Sequence, residues 1–99
     1  MNIGLLINNE NTPAQDGATF DRRSPVTGEV ASTSAAARAA DVDAAVQAAN
    51  TAFASWSKTG PTARRDILLK AADILEARTP EFTKIGMSET GATGPWIGF

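Results

Sequence analysis

Ninety-nine residues, 42% hydrophobic and 20% charged, leave room for one small domain and exclude a collagen-like, mucin-like or highly charged disordered chain. Nine Lys and Arg against 11 Asp and Glu give a net charge of -2, which offers no electrostatic footprint for nucleic acid or an anionic membrane. With no Cys and no His, the chain has no disulfide, no thiolate nucleophile, no zinc–thiolate site and none of the commonest general base.

Nineteen of the hydrophobic residues are Ala and only 23 are large, so the expected core is thin. The chain opens on Ile3-Gly4-Leu5-Leu6-Ile7, which reads as a strand running into a turn at Asn8 to Asn11. Five apolar residues are too short for a signal-peptide core or a membrane span, so the expected location is the cytoplasm. Thr12 to Ala18 reads as a loop, and Thr19 to Arg22 resumes an extended pattern. Pro25 and Gly28 bracket a turn, after which Glu29 to Thr33 returns as a second strand. The simplest result is a β-hairpin over about 3–33.

The remainder reads as three helices, over about 41–57, 62–78 and 80–90. Asp41 is expected to cap the first, whose stripe runs through Val42, Ala45, Val46, Ala49, Phe53 and Trp56. Gly60-Pro61 breaks the pattern, Thr62 is expected to cap the second helix, and Asp66 to support it by pairing with Lys70. Thr79 offers a third cap with Pro80 behind it, and Gly91 ends that helix. The closing Pro95-Trp96-Ile97-Gly98-Phe99 is apolar and uncapped, so the chain is expected to be truncated in mid-fold.

Few residues suggest chemistry. Gly91, Gly94 and Gly98 match neither the dinucleotide turn nor the phosphate loop, and their ordinary use is capping. Asp41 and Asp43 lack the spacing of a calcium loop and suit the positive end of a helix. Arg22-Arg23 and Arg64-Arg65 read as solvated surface or ion-pair partners. Trp56 reads as a core aromatic anchoring the first helix. Trp96 lies where no helical stripe explains it, and a flat wall for an aromatic ligand is the alternative to ordinary packing.

Ser24-Pro25-Val26-Thr27-Gly28-Glu29, the helix from Asp41 to Trp56, the stretch Arg64-Arg65 to Glu76 and Glu89-Thr90-Gly91 together resemble the opening stretch of the NAD(P)-dependent aldehyde dehydrogenases. Ser24 stands where that family usually has Asn, and Ala92-Thr93-Gly94-Pro95-Trp96 replaces its usual Lys-Pro continuation. This ending is similar to the aromatic-aldehyde branch, which oxidises salicylaldehyde-type substrates to carboxylates.

The resemblance implies an α/β parent, of which this segment is an incomplete part of the cofactor-binding domain. It implies a small-molecule aldehyde as substrate, NAD or NADP as cofactor and a homo-oligomeric enzyme. In the family a Cys attacks the aldehyde, hydride passes to the nicotinamide, and a Glu-activated water releases the acid. No catalytic, cofactor-binding or metal residue carries over to this chain. Trp96 alone carries over as a substrate-binding residue, lining the aldehyde pocket. The competing expectation is a stand-alone, non-catalytic helical interaction module that docks its apolar stripes on a partner.

Overall fold

The computed structural model describes residues 1–98. Phe99, the last residue of the apolar ending, lies outside the described residues.

Gly4 splits the opening apolar run into two strands that serve different sheets. Strand β1 (Asn2–Ile3) pairs in parallel with a distant strand, whereas β2 (Leu5–Ile7) turns back antiparallel on β3 (Glu10–Thr12). Asn8 and Asn9 both take left-handed backbone, φ 51° and 62°, which is the twist a two-residue hairpin turn requires. A second hairpin joins β4 (Thr19–Arg23) to β5 (Val30–Ala35), with a bulge between Arg22 and Arg23. The three-stranded sheet has the order β1-β5-β4. The extended region therefore holds two hairpins instead of one, because Glu10-Asn11-Thr12 is strand and not turn.

The β4–β5 turn is built by its own residues. The Gly28 N–H donates to the Ser24 carbonyl at 2.9 Å, and the Ser24 Oγ accepts from the N–H groups of Val26 and Thr27. Gly28 sits at φ 75°, a conformation that disfavours any residue with a Cβ.

Four helices follow among the described residues. Helix α1 (Ala39–Trp56) starts two residues before the expected cap, since Ala39 and Ala40 are strong helix formers. Asp41 therefore stands inside the first turn, where its Oδ2 accepts the Arg38 backbone N–H at 2.8 Å. Its Oδ1 accepts the Gln15 N–H at 2.9 Å, tying the loop after β3 to the helix. Helix α2 (Pro61–Ala77) has Gly60 as its N-cap and Pro61 at its first position, so Thr62 is not the cap. Asp66 pairs with Arg65 at 2.8 Å, not with Lys70. A single residue, Arg78, separates α2 from α3 (Thr79–Thr90), and the left-handed Gly91 ends α3 at φ 71°. The glycine- and proline-rich ending contains a helix that the sequence pattern misses, the single turn α4 (Gly94–Ile97).

Ala14 is the one buried hydrophobic residue among those described, alongside Ser32 and Asp41. The chain exposes 7611 Å², whereas a compact protein of 10.3 kDa exposes about 5,400 Å². Its radius of gyration is 16.9 Å, against about 13 Å for a compact chain of this length. Trp56 is 41% exposed and anchors no core. Val42, Val46 and Phe53 of the α1 stripe are exposed, at 54%, 53% and 65%.

Candidate functional site

Strand β5 positions helix α3 through one polar contact. The hydroxyl of Ser32, which is buried at the centre of the three-stranded sheet, donates to Glu89 Oε1 at 2.6 Å. Two residues later the chain reverses at Gly91, packed against the β4–β5 turn. A Cβ there would stand 2.9 Å from Pro25 Cγ and 3.1 Å from Val26 Cγ2. Ser32, Pro25 and Val26 thus fix where α3 ends and where the following segment begins.

That segment is held by its backbone N–H groups. Ala92 N–H donates to Thr90 Oγ1 at 3.2 Å, and the N–H groups of Trp96 and Ile97 both donate to the Thr93 carbonyl at 3.1 Å. Helix α4 leans on α3 through Ile97 and carries Trp96 with 78% of its surface open. The indole is a large flat surface that no described residue covers.

A groove of about 970 Å³ runs between the β4–β5 turn and α3, and Val26, Val30, Pro80, Met87 and Ala92 make it mainly apolar. Trp96 does not line it. The shifted acids lie outside it too. The N–H of Ala18 and the Arg38 guanidinium hold Asp16 below its ordinary range, and the bidentate Arg78 does the same for Glu81 while being raised itself.

The arginine pairs serve structure. Arg64 Nη2 donates to the carbonyls of Trp56 and Ser57 at 3.0 Å each, and its guanidinium stands 5.4 Å from the Trp56 ring centroid. Arg23 Nη1 reaches the Gly28 carbonyl at 3.1 Å. The three glycines make no pyrophosphate cradle: Gly91 is a helix end, and Gly94 and Gly98 lie against Met87 and Thr83 of α3. No cluster of three acidic residues that could hold a metal ion is found among the described residues. No helix among them is long and apolar enough to cross a membrane.

The described residues form a hairpin-and-helix scaffold whose helices expose broad apolar faces. The profile of the aldehyde dehydrogenase family matches residues 12–96, and the chain belongs to that family. A vanillin dehydrogenase of Pseudomonas fluorescens is 50% identical over all 99 residues. The crystal structure of a salicylaldehyde dehydrogenase from Pseudomonas putida G7, complexed with salicylaldehyde, superposes on the whole chain with a TM-score of 0.97 at 43% identity. The structure of PnpE in complex with nicotinamide adenine dinucleotide covers 95% of the chain with a TM-score of 0.91 at 39% identity. The chain spans about a fifth of the length of these relatives, 20%, 20% and 19% respectively.

Proposed function

We propose that this chain belongs to a dehydrogenase that oxidises an aromatic aldehyde, of the salicylaldehyde type, to its carboxylate with NAD or NADP. The observation that carries this reading is the agreement of the whole fold with the salicylaldehyde-bound enzyme. The vanillin dehydrogenase similarity supports it, since vanillin and salicylaldehyde are both substituted benzaldehydes. The enzyme is a homo-oligomer of the cytoplasm, with a small-molecule aldehyde as its substrate partner.

Within that enzyme these residues are scaffold, and the nucleophile and cofactor cradle come from outside residues 1–99. Trp96 is the substrate-facing residue, presenting its ring as one wall of the aldehyde pocket. An uncovered indole on a short helix suits a planar ligand, which stacks or meets it edge-on. The full-length enzyme is expected to produce NADH or NADPH faster with salicylaldehyde than with acetaldehyde. Trp96→Ala raises KM for salicylaldehyde about tenfold, worth about 1.4 kcal/mol, and leaves acetaldehyde unchanged. Equal effects on both aldehydes refute the wall. A stand-alone interaction module fits less well, because such a module needs a closed core and Ala14 is the one buried hydrophobic residue described.

A further inference from the structure

Helices α3 and α4 meet at a notch that depends on a missing side chain. A Cβ at Gly86 would stand 2.8 Å from Ile97 Cγ2, closer than packed carbon atoms allow, and 3.2 Å from Ile97 Cδ1. Thr83, Gly86 and Met87 share one face of α3, and α4 lies on that face through Gly94, Ile97 and Gly98. Ile97 is half-buried there, while its neighbour Trp96 is open.

A helix of four residues has little stability of its own, so the orientation of α4 comes from its seat. Successive side chains leave a helix about 100° apart, so seating Ile97 decides where Trp96 projects. Ile97 is also β-branched and stiff at χ1, so it does not swing aside for a methyl group at position 86. Glycine inside a helix is unfavourable relative to alanine, and the space taken by Ile97 is a physical reason for it here.

We propose that Gly86 is a positioning residue for substrate choice: its empty side admits Ile97, and the seated Ile97 aims the Trp96 ring. This rests on the reading of Trp96 as a wall of the aldehyde pocket. The test uses the full-length dehydrogenase and the variants Trp96→Ala, Gly86→Ala, Ile97→Ala and Gly86→Ala/Ile97→Ala. Two readouts are taken: KM and kcat for salicylaldehyde and for acetaldehyde, and the fluorine NMR signal of 5-fluorotryptophan at position 96, assigned by its loss in Trp96→Phe.

Gly86→Ala is expected to move the Trp96 signal and to raise KM for salicylaldehyde about fivefold, with acetaldehyde kinetics and kcat unchanged. The double variant exchanges knob and hole, and returns both readouts toward wild type. Ile97→Ala alone empties the notch without touching α3, and moves the same signal. An unmoved Trp96 signal in Gly86→Ala, or unchanged KM there while Trp96→Ala remains selective, overturns the inference and leaves the pocket reading standing. A moved signal with a non-selective Trp96→Ala defeats the pocket reading, and the role of Gly86 in substrate choice falls with it.

Discussion

Asp41 is a sensitive joint between the hairpins and the helices, and its removal is the perturbation with the clearest magnitude. Asp41 is 3% exposed, and its carboxylate accepts the N–H groups of Arg38 and Gln15, at 2.8 and 2.9 Å. A hydrogen bond to a charged group contributes about 1.5–3 kcal/mol, and Gln15 is exposed enough for its freed N–H to turn to water, so the lower end applies. Asp41→Ala is therefore expected to lower the local opening free energy of the 14–18 loop and the start of α1 by about 3 kcal/mol. Read by native-state hydrogen exchange in the full-length enzyme, that is about a 150-fold faster exchange of the Gln15 and Arg38 amides. Asp41→Asn keeps one acceptor oxygen but turns an NH₂ toward the other donor, so it loses about half, roughly a tenfold acceleration. Equal exchange in the Ala and Asn variants, or less than about a threefold change in either, refutes the two-acceptor account.

Three further outcomes follow from the same structure. Gly91→Ala forces a Cβ onto φ 71° and against Pro25 and Val26, and is expected to destabilise the end of α3 by about 1–2 kcal/mol, measured by exchange of the Glu89 to Ala92 amides. Residues 1–99 expressed alone are expected to bind anilinonaphthalene sulfonate and to unfold in urea without a shared sigmoidal transition in circular dichroism and tryptophan fluorescence; one sharp coincident transition contradicts the missing core. Asp16 and Glu81 both have lowered pKa values, so each stabilises the fold at pH above the ordinary carboxylate range, and that contribution disappears as pH falls below about 4. Asp16→Asn and Glu81→Gln are expected to flatten the acid limb of the amide-exchange profile around residues 16–18 and 78–82, and an unchanged limb refutes the assignment.

The helices were legible because their apolar residues repeat every three or four positions, as Val42, Val46, Ala49 and Phe53 do. Their starts were less so, since capping is decided by backbone geometry: Gly60 with Pro61 outcompetes Thr62, and Asp41 works from inside the turn. The parallel pairing of β1 with β5 joins Asn2 to Thr33, and no local pattern reports a partner 31 positions away. Trp56 looked like core because its stripe is periodic, but periodicity shows only that a face is apolar and not that anything covers it. The Ser32–Glu89 bond and the Gly86 notch arise from tertiary contact alone. Trp96 was visible as an unexplained aromatic, whereas the helix that carries it was hidden between Gly94 and Gly98.

The described chain measures 48 × 36 × 15 Å, and its smallest dimension is little more than one helix with its side chains, about 10–12 Å. A slab this thin makes a poor unit of exchange. The apolar side chains that α1 and α2 expose, such as Val46, Phe53, Leu68 and Leu75, are expected to pack on other parts of the proposed enzyme, so substitutions there should change in concert with distant positions and not with their own helix. A chimaera that swaps this segment between two aldehyde dehydrogenases is expected to fail at that seam, even where both parents carry the same fold.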